Sequence, residues 1–334
     1  AHAQRRGTST RPYVQRSWPC ILATPGTPPT GASRCSHCEQ HFYLHINMRL
    51  VIMESADEVA NFVAAYVVKR INDYQPSQEK PFVLGLPTGS SPQATYKQLV
   101  AMYNKGDVSF QHVITFNMDE YCNLPRDHPE SYHSFMWENL FRHIDIQPQH
   151  ANILDGNARD VDAECERYEE KIKGYGGIHL FLAGIGPDGH IAFNEPGSSL
   201  SSRTRVKTLA QETVVANARF FGGDLSKVPR KALTVGVGTV LDAEEVLVII
   251  TGTHKAYALA KCIEEGVNHM FTVSAIQMHS KAVVVCDEDA TLELRVRTAK
   301  YFKSLPHREE LLGLPLPDDL QAGQARENKR HKPE

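Results

Sequence analysis

Five short apolar runs alternating with helical patterns predict an α/β fold. The expected architecture is a single doubly wound, mostly parallel sheet with helices on both faces, Rossmann-like but not dinucleotide-binding. Phe82–Leu86, Val113–Phe116, Ile178–Ala183, Val246–Thr251 and Ala282–Cys286 are rich in Val, Ile and Leu and apolar on both faces. A strand needs that composition when helices cover both sides of its sheet. Several of these runs end in small residues or acids, and in such sheets the working groups gather at the carboxyl ends of the strands. No repeat is evident, so residues 48–305 read as one domain.

The elements follow in chain order. Met48–Met53 has a clean strand pattern. Ser55 and Glu58 then make a capping box, and Val59, Phe62, Val63, Tyr66 and Val67 line one face of a helix over Ser55–Ile71. Phe82–Leu86 runs through a Gly/Ser/Thr turn to Pro92, the expected start of a helix over Gln93–Tyr103. Val113–Phe116 delivers Asp119 and Glu120. Ile178–Ala183 leads into a glycine-rich loop, Val246–Thr251 into a small-residue turn before Lys255, and Ala282–Cys286 closes the pattern. Glu164–Lys171 is charge-rich at helical spacing and reads as a solvated face.

Both ends lie outside this pattern. Residues 1–47 combine five prolines with Gly, Ser, Thr and Arg, show neither a strand nor a helix period, and predict a disordered Pro/Arg-rich extension before a domain that starts at Met48. Their lack of acids over the first 38 positions resembles an organellar presequence, but the prolines prevent the amphipathic helix such a signal needs. Cys35, Cys38, His41 and His45 only superficially resemble a zinc site, because two residues separate the Cys and His pairs where a finger has about a dozen. No metal is expected. Residues 306–334 read as a flexible tail.

The chain has 334 residues, 41% hydrophobic and 22% charged, which suits a globular protein. Its net charge is −3, with +4 in residues 1–47 and −6 in the body, which argues against a general nucleic-acid binder. The longest apolar run, Val246–Ile250, is far short of the roughly 20 residues that span a bilayer. The body cysteines are scattered without a framework, and no long apolar signal region is present, so a cytoplasmic location is expected.

Four stretches carry candidate chemistry. Leu84-Gly-Leu-Pro-Thr-Gly-Ser-Ser91 ends a strand with small hydroxyls at a helix start, which suits a phosphate, though an ordinary tight turn reads the same way. Phe116-Asn-Met-Asp-Glu-Tyr121 places two acids at a strand end. One of them could abstract a proton while the other is structural, and capping or solvated carboxylates are equally compatible. Gly184, Gly186 and Gly189 formally match a dinucleotide fingerprint, but Pro187 interrupts the turn and no amphipathic helix follows. The same loop holds Asp188, His190 and Glu195, and a His among carboxylates can be tuned for proton transfer near neutral pH. Lys255 begins the helix after Val246–Thr251, where it could hold a phosphate or a leaving group, or simply be solvated. Ser198–Thr208, dense in hydroxyls and cations, is a plausible second anion site.

Together with Gly186-Pro-Asp-Gly-His-Ile-Ala-Phe-Asn-Glu-Pro196, Ser202-Arg-Thr-Arg-Val-Lys-Thr208 and Leu233-Thr-Val-Gly-Val-Gly-Thr239, these strings resemble the glucosamine-6-phosphate deaminase family from about Met48 to Ser304. The resemblance implies conversion of glucosamine 6-phosphate and water to fructose 6-phosphate and ammonia, in amino-sugar catabolism, without a cofactor. It implies Asp119 as the base between C2 and C1; an exposed Asp would be ionised near pH 7 but weak. His190 would assist ring opening, oriented by Asp188 and Glu195. Arg219, Lys255 and the turn Thr88, Gly89, Ser90 and Ser91 would hold the phosphate. Ser198, Ser199, Arg205, Lys207, Thr208 and Tyr301 would form an allosteric site for N-acetylglucosamine 6-phosphate. The bacterial relatives also use the initiating Met amine there, which at Met48 would be a peptide nitrogen. A homohexamer is implied as well. The alternatives are a 6-phosphogluconolactonase-like hydrolase, which needs no base aimed at a carbon-bound proton, and a sugar-phosphate sensor, which needs no Asp188–His190–Glu195 cluster.

Overall fold

The computed structural model describes residues 48–315; the proposed extension, its Cys/His pattern and most of the proposed tail lie outside the described residues. Among the described residues, ten strands run in chain order: β1 (Arg49–Met53), β2 (Phe82–Leu86), β3 (Val113–Asn117), β4 (Asp119–Tyr121), β5 (Ala151–Asn152), β6 (Leu180–Gly184), β7 (Arg205–Thr208), β8 (Lys231–Thr234), β9 (Val246–Ile250) and β10 (Ala282–Asp287). The main helices are α1 (Ala56–Tyr74), α2 (Ser90–Lys105), α3 (Tyr132–Asn139), α4 (Val161–Gly174), α5 (Gln211–Asn217), α6 (Val237–Leu241), α7 (Ala256–Ile263), α8 (Val296–Lys303) and α9 (His307–Leu312).

Seven strands form one parallel sheet in the order β1-β10-β9-β6-β2-β3-β5. Alternation along β10 shows why its run is apolar throughout. Val283 and Val285 pack into the cluster built on α1 and α2, whereas Ala282, Val284 and Cys286 pack into the opposite cluster with α4 and α7. This strand therefore buries both faces, as the doubly wound arrangement demands. The four described cysteines are buried and unpaired.

A second sheet, absent from the sequence expectation, pairs β4, β8 and β7 antiparallel. Its outer strand β7 is largely half-buried and carries two cations and a single apolar residue, so it has no apolar run to announce it. The capping box also closes one residue early. Ser55 Oγ accepts from Glu58 N–H, but the Glu58 carboxylate accepts from Glu54 N–H at 3.3 Å.

Other boundaries move. Helix α2 begins at Ser90 rather than Gln93, with Pro92 inside the first turn, where its missing N–H has no intrahelical partner to lose. The folded body passes residue 305, because α9 follows and its Leu311 is buried in the α1 cluster. Glu164 and Glu169 are buried rather than solvated. Glu169 accepts from Thr204 N–H, the hydroxyls of Thr204 and Thr239, and Arg203, tying α4 to the small sheet and α6.

Candidate active site

The carboxyl ends of β2, β3, β6 and β9 open into a cavity of about 610 Å³. All the positions expected at the catalytic and phosphate ends line it: Thr88, Gly89, Ser90, Ser91, Asp119, Asp188, His190, Glu195, Arg219 and Lys255.

Asp119 reaches it through a change of sheet. At Met118 the chain leaves β3, donating to Leu86 O and accepting from Val235 N–H at 2.7 Å, and Asp119 becomes the first residue of β4 opposite Thr234. Asp119 is 7% exposed, and among the described residues its carboxylate is hydrogen-bonded only to the Thr88 hydroxyl, at 3.5 Å. Burial, followed by the neighbouring Glu120 charge, pushes its pKa up to about 8. The exposed, weakly basic aspartate expected from the sequence is thereby corrected: burial makes the carboxylate a stronger base and keeps it protonated until the pH approaches that value.

A stability signature follows. Below the unfolded pKa near 4 the side chain is neutral in both states. Between there and about 8 only the unfolded chain gives up its proton, so folding stability falls as pH rises. Asp119→Asn removes this penalty. Its melting temperature is expected to exceed wild type by several degrees at about pH 8, the gap closing toward about pH 4. Calorimetry across that range checks it, and a gap independent of pH would reject the buried neutral carboxyl.

Glu120 is the structural member of the pair. Its carboxylate accepts from the backbone N–H groups of Tyr121, Tyr132 and His133 at 2.8, 3.0 and 2.9 Å, holding the start of α3.

The loop after β6 brings Asp188 Oδ1 to 2.6 Å from His190 Nδ1. Gly186 makes room for both, since a Cβ there would lie 2.3 Å from His190 Cε1 and 2.5 Å from Asp188 Oδ1. Burial opposes ionisation of Asp188, but the His190 contacts outweigh it and hold the carboxyl below its ordinary range. Buried hydroxyls and amides clamp the rest of the loop: Ile191 N–H donates to Thr272 Oγ1, and Asn194 Nδ2 donates to Ile191 O and Val235 O. Glu195 differs from expectation. Its Oε1 accepts from Ala210 N–H at 2.8 Å and from the Thr213 hydroxyl at 2.5 Å, so it fixes the start of α5, and no hydrogen bond joins it to His190 among the described residues.

In the same cavity, no side chain among the described residues caps the N-terminus of α2, where Ser90 and Ser91 lie. The positive end of a helix with free N–H groups favours an anion. Lys255 is only 9% exposed, with its Nζ donating to Ile185 O, so it is not a solvated helix-start residue. Burial and then the Arg219 charge bring its pKa down to about 8, while Asp188 acts in the opposite sense.

The cavity also contains residues that the strand-end rule does not select. Tyr132 and Phe193 stack with centroids 6.1 Å apart and planes 8° apart, and Asn217 donates to the Tyr121 hydroxyl at 2.9 Å. Glu212, Thr213, Asn217 and Phe220 come from α5 and the turn after it. The one local signal there is a cation among aromatics, Arg219-Phe-Phe221.

The sequence model of the glucosamine-6-phosphate isomerases/6-phosphogluconolactonase matches residues 54–285. The chain belongs to this family. Over 258 residues it is 66% identical to glucosamine-6-phosphate deaminase of Drosophila melanogaster, covering 77% of this chain and 94% of the fly protein. It is also 66% identical over 258 residues to human glucosamine-6-phosphate deaminase 1, covering 77% of this chain and 89% of that one. A solved structure of a monomeric glucosamine-6-phosphate deaminase aligns with a TM-score of 0.69 at 40% identity, over 74% of this chain and 100% of that one. The 6-phosphogluconolactonase of Thermotoga maritima aligns at 0.58 and 18% identity, over 72% of this chain and 100% of that one, which shows a common fold alone.

The six positions proposed for the family's second site do not line the cavity. Arg205, Lys207 and Thr208 lie on β7, while Tyr301 is 58% exposed on α8. Ser198 is buried, its hydroxyl without a hydrogen-bond partner among the described residues, and the Ser199 hydroxyl pairs with that of Ser201. No hydrogen bond, ion pair or ring contact joins Tyr301 to the other five among the described residues.

Proposed function

We propose that this family member converts glucosamine 6-phosphate and water to fructose 6-phosphate and ammonia. The observation that carries the reading is Asp119, a buried carboxyl group with no ion-pair partner among the described residues, in the same cavity as Lys255, Arg219 and a helix N-terminus. Lactone hydrolysis has no use for a base aimed at a carbon-bound proton. Aldose–ketose isomerisation requires one.

In this reading the phosphate is held at Ser90, Ser91, Arg219 and Lys255, and that remote binding energy positions C1 and C2. His190, with Asp188 beside it, carries the proton that opens the ring. The substrate ammonium draws Asp119 toward its ionised form, and Asp119 then moves the C2 proton to C1. Water enters at C2 as ammonia departs, giving the ketose.

Two perturbed groups shape the pH profile. In the free protein Asp119 must lose its proton and Lys255 must keep its own, and both titrate at about 8. A narrow bell in kcat/KM centred near that value is expected. A rising limb near pH 4, the ordinary aspartate value, would overturn the role given to Asp119.

The finer expectations belong to the same proposal. The second site would bind N-acetylglucosamine 6-phosphate through Ser198, Ser199, Arg205, Lys207, Thr208 and Tyr301; the Ser198 hydroxyl, which has no hydrogen-bond partner among the described residues, supports it. A homohexamer is carried over from the resemblance and a cytoplasmic location from the scattered cysteines, to be tested by sedimentation and fractionation. No described helix is long and apolar enough to cross a membrane. The deciding experiment measures ammonia and fructose 6-phosphate released from glucosamine 6-phosphate, with and without the acetylated sugar. Equal amounts of both products are expected. Hydrolysis of 6-phosphogluconolactone without ammonia release would transfer the chain to the other branch of the family, and binding without turnover would favour the sensor.

A further inference from the structure

The turn that presents Lys255 is held from behind by a carboxylate with no part in the chemistry above. Asp287 ends β10 and is 4% exposed. Its Oδ1 and Oδ2 accept from Gly252 N–H at 2.9 and 3.0 Å, and Oδ1 also accepts from Ala290 N–H at 2.9 Å. Among the described residues no Lys or Arg forms an ion pair with it; backbone dipoles answer its charge.

The geometry explains why an acid is needed. After β9 the chain turns at Gly252, with φ +86 and ψ 154, into a 3₁₀ turn over Thr253–Lys255. The Gly252 N–H has left the strand ladder and requires another acceptor. A carboxylate can only accept, whichever oxygen faces the N–H. An amide in its place would set an NH₂ donor against one or other backbone N–H. Three residues beyond Gly252, the Lys255 ammonium enters the cavity and bonds Ile185 O, so a shift of the turn moves the cation. The electrostatics of the turn agree. Burial, Lys255 and Arg219 lower the pKa of His254, and Asp287 opposes them, so these groups share one field.

We propose that Asp287 is a positioning residue for the phosphate end of the site, fixing the Gly252 turn so that Lys255 meets a phosphate monoester. This rests on reading the cavity as a sugar-phosphate site. The contact with phosphate is made by Lys255; Asp287 acts only through the backbone between them.

Asp287→Asn in the full chain tests it, with inorganic phosphate as the probe by titration calorimetry and as a competitive inhibitor. The phosphate Kd and the KM for glucosamine 6-phosphate are expected to rise together by about tenfold, with kcat changed by less than about threefold. In a Lys255→Ala background the same substitution is expected to have no further effect on phosphate binding. A residue that merely supports the fold would lower the melting temperature and leave phosphate affinity of the folded protein unchanged; that result, or additive losses in the double variant, overturns the proposal. Should Asp287→Asn not fold, Gly252→Ala strains the same turn with the carboxylate intact, and normal phosphate binding by that variant also overturns it. A wild-type chain that binds phosphate but releases no ammonia would defeat the functional reading alone.

Discussion

Asp119→Asn lowers kcat by about 10²–10⁴-fold, while a substrate analogue binds close to normally. Asn keeps the shape of the side chain and can still accept from the Thr88 hydroxyl, so the cavity wall changes little. What disappears is a group able to take a proton from carbon. A pKa near 8 makes the loss larger than it would be for an exposed aspartate, because burial has raised the basicity being removed. The steady-state rate and the analogue Kd should be read on the same preparation. If kcat stays above about a tenth of wild type, equivalent to under about 1.4 kcal/mol of barrier, Asp119 is not the base.

Lys255→Ala raises KM enough to lower kcat/KM by about 10²-fold, with kcat less affected. Two losses combine. The phosphate loses a cation whose charge is little screened at 9% exposure, and the side chain's own volume is vacated beside Ile185. Arg219 and the α2 N-terminus remain, so binding weakens without vanishing. Lys255→Met keeps most of the packing and separates the charge from the cavity. It should retain the KM defect while recovering stability. An unchanged KM in both variants would put the phosphate elsewhere.

The sheet was legible because burying both faces leaves a continuous apolar run, as in β9 and β10. The short strand β7 was not, since its two cations and one threonine mimic a loop. Helix α9 escaped for a related reason: Leu311 packs against α1, more than 200 residues earlier in the chain, and nothing near Pro306 records that contact. Gly-rich strand ends marked the loops that line the cavity, whereas Tyr132 and Asn217 reach it from helices whose own sequences show only ordinary patterning.

The sequence by itself determined the fold class, the strand ends that bear the chemistry and the family, because hydrophobic periodicity and contiguous motifs are local properties of the chain. Only the tertiary structure decided between neighbours of the same type. Asp119 and Glu120 are adjacent and both acidic, yet Glu120 meets three backbone N–H groups and Asp119 meets one distant hydroxyl. Glu195 turns to Ala210 and Thr213 instead of His190, and Lys255 is buried rather than solvated. In each case the outcome depends on desolvation and on hydrogen-bond partners brought in from elsewhere in the chain, which only folding supplies.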